Sequence, residues 1–152
     1  MSNPISFTSV TPRLGLPQLF AAQAQKEFIV NETLARVDML LHCAVEGVAN
    51  DAPAAPADGE VWIVGEAPAG EWLGHPGELA GRQAGTWIFA APREGMRVFA
   101  RDTQQVAFWQ NGWQRAQPPA GPQGGGTIDT EARTAIANLI ESLRDAGIFG
   151  TP

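Results

Sequence analysis

Asn111-Gly112 stands between two short, Trp-bearing runs, Val106-Ala107-Phe108-Trp109-Gln110 and Trp113-Gln114-Arg115. A two-residue type I′ turn needs positive φ at both central positions, and Asn-Gly meets that need at the lowest steric cost. The pair therefore predicts a tight antiparallel hairpin and, with it, a β-rich fold. Neighbouring segments agree. Glu60 to Val64 and Thr86 to Ala90 read as short strands, and Met96 to Arg101 alternates as a half-buried strand does. All five tryptophans (Trp62, Trp72, Trp87, Trp109 and Trp113) fall in this stretch. Residues 59–116 are thus expected to form a single body of short antiparallel strands. Gly65 to Gly85, which holds Gly70, Gly74, Pro76, Gly77 and Gly81, reads as a long excursion packed by Trp72 and Leu73.

The flanks are of other kinds. Residues 1–15 read as an extended arm, because Pro4, Pro12 and Gly15 exclude a helix and Ile5 to Val10 alternates like a strand. Such an arm is expected to pair with the body or with a neighbouring subunit. Residues 17–42 read as a helix, with Pro17 at its first position and Val30, Leu34, Val37 and Leu41 on one face. Residues 44–58 read as an extended Ala- and Pro-rich linker. A second flexible linker, 117–127, precedes a C-terminal helix over 128–148, which Thr127 or Asp129 caps and Gly147 stops. The predicted fold is α+β: an arm, then a helix-plus-β domain over 16–116, then the Gly/Pro linker and the last helix.

That last helix carries an apolar stripe, Ile136, Leu139, Ile140 and Leu143, near heptad spacing. A helix this short is marginal in water unless its stripe is buried. Copies of itself are the expected cover, with packing on its own β body as the alternative. In the first helix, Gln23, Gln25, Glu27 and Asn31, with Lys26 and Glu32, form a polar cluster. Between subunits it would be a register-setting network; the plainer reading is a solvated helix face.

Little chemistry is visible. The net charge is −6 with ten Lys and Arg, and none of these are clustered, which argues against nucleic-acid binding and against attraction to an anionic membrane. No apolar run reaches the roughly 20 residues that span a bilayer, and Met1-Ser2-Asn3-Pro4 does not open a secretory signal. The single cysteine, Cys43, follows Leu40-Leu41 at one residue's remove and reads as a small buried side chain. His42 reads as structural. His75 lies near Glu71 and Glu78, but no second histidine has ligand spacing. No nucleophile elbow, zinc-protease motif or phosphate loop is present. Neither catalysis, a metal nor a cofactor is expected. Trp72, Trp109 and Trp113 are the rings weighed as a sugar-stacking platform, Trp72 being the one expected outside the core.

Leu14-Gly15-Leu16-Pro17-Gln18-Leu19, Gln23-Ala24-Gln25-Lys26-Glu27, Asn31-Glu32, Leu34 to Asp38, Pro56 to Val64, Gly70 to Ala80, Gly85 to Phe89, Pro92 to Gly95 and Gly112-Trp113 resemble a domain of unknown function in phage-like proteins of alphaproteobacteria. The resemblance runs over residues 13–116. That family occurs in tail fibres and in the spike and fibre proteins of gene transfer agents, so the resemblance implies a non-enzymatic part of a particle surface. With the stripe of the last helix, the expected assembly is a homo-oligomer, a trimer before a pentamer, partnered with other virion proteins; with no secretory signal visible, the chain is expected to be made in a bacterial cytoplasm. It carries no catalytic residues to transfer. The alternatives are a module binding host capsular polysaccharide through Trp72, Trp109 and Trp113, and an enzyme acting on that polysaccharide through paired carboxylates.

Overall fold

The computed structural model describes residues 9–14, 16–19 and 26–151, and their side chains except at 26–28. Among these the fold is α+β, with two helices, eight strands and two small mixed sheets. They divide into two compact units, one comprising the residues up to 43 with 48–92, the other 44–47 with 93 onward. The single body expected over 59–116 is therefore two bodies. The expected linker 44–58 supplies a strand to each, β1 (Ala44–Val45) and β2 (Val48–Ala49).

In the first unit, helix α1 (Lys26–Leu40) stands beside a sheet of order β2-β3-β4-β5, with β3 at Val61–Val64, β4 at Leu79–Gln83 and β5 at Thr86–Ala90. β2 runs parallel to β3, and the other neighbours are antiparallel. The helix lies so close to β4 that a Cβ on Gly81 would come within 2.4 Å of Met39 Sδ. On another side of the core, Trp72 ends a 3-10 turn (Gly70–Trp72) and is fully buried against Val64 and Ala80.

Sequence reasoning missed β4, which sits within the supposed excursion. Its hairpin to β5 turns on Ala84-Gly85, both at positive φ (47° and 75°), with Gln83 and Thr86 paired across it. Ala is an uncommon residue in that region, so this true two-residue turn gave no compositional signal. The Asn111-Gly112 turn differs from expectation in the other direction. Asn111 does take positive φ, but Trp109 pairs with Trp113, which leaves three residues in the loop.

The second unit holds a sheet of order β1-β6-β7-β8, with β6 at Arg97–Ala100, β7 at Gln105–Trp109 and β8 at Trp113–Arg115. β1 pairs parallel with β6, again against the all-antiparallel expectation. Helix α2 (Thr130–Asp145) begins at Asp129, whose carboxylate accepts from Ala132 N at 2.8 Å, the second of the two expected caps. It ends in a Schellman motif: Gly147 N donates to Arg144 O and Ile148 N to Leu143 O. The chain beyond stays bound to the sheet. Gly147 O accepts from Val106 N at 2.7 Å, Phe149 bridges to Ala116, and Thr151 N donates to Thr103 O.

Candidate functional site

The site is built on α1, which buries a carboxylate and leaves an apolar stripe in solvent. Ala35, Asp38 and Met39 are buried, whereas Val30, Val37 and Leu41 of the predicted apolar face are exposed and Leu34 is half-buried. The stripe exists as the spacing implied, but it points outward. A shallow groove of about 340 Å³ runs along it, lined by Thr33, Arg36, Val37, Leu40 and Leu41.

Polar residues hold the inward face. Asp38 Oδ1 accepts from Thr11 Oγ1 (2.8 Å) and Leu14 N (2.6 Å), and its Oδ2 accepts from Arg13 N (3.0 Å). The Arg13 guanidinium then caps the helix's last turn, donating to the carbonyls of Asp38, Met39, Leu41 and His42. Asn31 clasps Leu19, accepting its N–H at 2.9 Å and donating to its carbonyl at 3.0 Å. These bonds bind the segment around Ser9–Leu19, itself a small hairpin closed by Val10 and Pro17, onto the helix. One expectation is corrected here: Pro17 does not start a helix. The arm's described end pairs with its own domain, the first of the two partners expected for it.

The candidate residues sort accordingly. Asn31, expected between subunits, spends its amide on Leu19. Gln23 and Gln25 lie outside the described residues, as does the side chain of Glu27. On α2 the stripe is open: Leu139 is 60 % exposed, Ile136 is 41 % exposed, Ile140 and Leu143 are half-buried, and no residue of the helix is fully buried. Sequence reasoning missed Thr11, Arg13 and Asp38. The legible signal was Asp38 itself, a carboxylate inside the apolar run Val37-Asp38-Met39-Leu40-Leu41, because a buried carboxylate must collect donors.

Trp72 corrects the sugar-stacking expectation. It has no exposed surface, so it offers no face to a glycan, and it packs edge-on to Trp87 at 5.1 Å between centroids. Trp109 and Trp113 are half-buried and meet edge-to-face at 5.4 Å across the β7–β8 pairing. His75 stacks on Phe89 at 3.7 Å and contacts Glu78 through Nδ1 at 3.0 Å. Glu71 instead accepts from Trp87 Nε1. Among the described residues, no cluster of three His, Cys, Asp or Glu is placed to hold a metal.

Cys43 follows α1 and is buried, as expected. Burial pushes its thiol up from 9.0 to about 11, with the Arg13 guanidinium pulling part of the way back. The raised value means the folded state favours the neutral thiol. That contribution is complete below pH 9.0 and fades as pH rises to about 11; two pKa units set its ceiling at about 3 kcal/mol. Denaturant unfolding across this window should show the loss, and Cys43→Ala should flatten it. Thiol reagents at pH 8 should label Cys43 only upon unfolding.

A family described as a protein of unknown function (DUF2793) matches residues 30–114, more than half of the chain. The chain belongs to that family. The DUF2793 match begins on α1 just before Asn31, includes Asp38, and ends in β8 at Gln114. It thus takes in strands of both sheets and leaves α2 outside. No curated protein matches the chain. Among the described residues, no helix is long and apolar enough to cross a membrane.

Proposed function

We propose that this DUF2793 chain is a non-enzymatic structural part of a tailed phage or gene transfer agent, a fibre or spike base that self-associates through α2. The observation that carries the reading is the α2 stripe. A helix with an apolar face and capped ends, fixed to its sheet at one end, leaves Ile136 and Leu139 in water. Covering the stripe would add stability to a helix whose length is near the margin for standing alone, and its position is set in advance, which lowers the cost of association. The particle assignment is supported by the residues that resemble phage-like proteins, from Leu14 through Gly112-Trp113. A trimer is favoured over a pentamer because fibres are commonly three-fold.

The decisive test of the assignment is mass spectrometry of gradient-purified particles from the producing bacterium. The chain should band with capsid and tail proteins at a fixed stoichiometry. Recovery only in the soluble lysate would exclude a virion part.

The half-exposed Trp109–Trp113 pair favours one second reading, a surface that stacks on host polysaccharide. That reading requires glycan binding to fall in Trp109→Ala while the fold persists.

A further inference from the structure

The segment that follows α2 occupies a seat on the second sheet. Val106 N donates to Gly147 O at 2.7 Å, Thr151 N donates to Thr103 O at 3.1 Å, and Phe149 bridges to Ala116 in parallel. Gly147 is buried against the Phe99 ring, and a Cβ on Gly150 would strike the Gln105 carboxamide. The seat holds this segment through main-chain bonds and close fit, as strand addition does.

The excursion that leads to the seat is held loosely. Among the described residues, no strand packs along α2, and none of its residues is fully buried. A cavity of about 420 Å³, bounded by Phe99, Gln104, Glu141, Arg144 and Thr151, opens between its last turn and the sheet. Ala120 to Thr130 are exposed, and Arg133 donates to the carbonyls of Pro122 and Gly124. The linker therefore bonds to the helix it carries. Extended, residues 117–129 reach roughly 40 Å, whereas the 16 residues of α2 are about 24 Å long. That slack does not dictate which sheet α2 serves.

We propose that copies of the chain exchange this segment, so that Gly147–Thr151 of each copy fills the seat on a neighbouring copy's sheet. The exchange rests on association through α2. Its occupant is defined by bonds already formed. A neighbour's segment is chemically identical, every contact of the seat is remade, and no new surface is needed. In an isolated chain the copy's own segment wins through its effective concentration, on the order of millimolar for a flexible tether. Bundled α2 helices cancel that advantage, because Leu143, the last stripe residue, lies one turn before Gly147. Neighbouring seats then stand at a similar local concentration. Exchange ties the two contacts together, since copies cannot part without emptying their seats, and dissociation slows accordingly.

Two variants of the full-length chain, Thr103→Cys and Thr151→Cys, test the exchange at positions joined by the 3.1 Å backbone bond. They are purified separately, mixed when dilute, concentrated, and treated with a short bis-maleimide. Cys43 is buried and stays out of the reaction. Peptide mass mapping should find a cross-link between positions 103 and 151 of different chains, at a yield comparable with that in a chain carrying both substitutions. Adding Leu139→Glu to both variants should remove this product. Light scattering on the same sample separates the two ways of failing. An oligomer that gives no 103–151 product from the mixture overturns the exchange and leaves association through α2 standing. A monomer at every concentration, again without product, overturns both.

Discussion

Asp38→Ala is expected to destabilise the first unit by about 3–5 kcal/mol in urea unfolding, the range for removing one partner of a buried charged network. The wild-type carboxylate is 2 % exposed and gathers three donors, Thr11 Oγ1 and the N–H groups of Arg13 and Leu14. Alanine strands all three, and each unsatisfied buried donor costs about 1–3 kcal/mol, reduced where the loop relaxes into water. Asp38→Asn keeps an acceptor for Thr11 and Leu14 but presents an NH₂ to the Arg13 N–H, donor against donor, so its loss should fall between wild type and alanine. The loss should be accompanied by release of the Ser9–Leu19 segment, seen as new proteolytic cleavage there. A change below about 1 kcal/mol would mean that the clasp is a surface contact of ordinary strength.

Trp72→Ala should cost about 3–5 kcal/mol, as large-to-small aromatic substitutions in cores do. Its indole fills the space between Trp62 and Trp87 over Val64 and Ala80. Truncation would leave a cavity walled by two other rings that cannot both collapse into it. Trp72→Phe provides a contrast. Trp72 Nε1 is buried and has no hydrogen-bond partner among the described residues, so phenylalanine removes an unmet donor while keeping most of the apolar contact. Its cost should be well under that of alanine in the same unfolding experiment. Any loss of glycan binding in Trp72→Ala would then track the unfolded fraction.

The sequence showed most where one residue type solves one local problem. Asp129 and Gly147 bracket α2 because a helix start needs an acceptor and its end a left-handed residue, and both were readable. β5 was readable with its bounds, since Thr86 to Ala90 is a compact β-branched and aromatic run. β4 was not readable, because Leu79-Ala80-Gly81-Arg82-Gln83 has little intrinsic strand character and is held by pairing on both sides. β1 and β2 have two residues each, too few for any periodicity, and exist only through parallel partners distant in sequence. The orientation of α1 was concealed for a related reason. Its spacing defined an apolar face correctly, but which face turns inward depended on Thr11, Arg13 and Leu19, all far away in sequence. For the site, the open stripe of α2 was legible, whereas the clasp on α1 required knowing where the chain's first segment lies.

The central claim is that the chain assembles through α2, and the most direct test is its solution mass by light scattering over a range of concentrations. Full-length wild type should give an oligomer, with a trimer favoured, and Leu139→Glu should reduce that mass while keeping the fold by circular dichroism. A wild-type monomer at every concentration, with a mass unchanged in Leu139→Glu, would contradict the account.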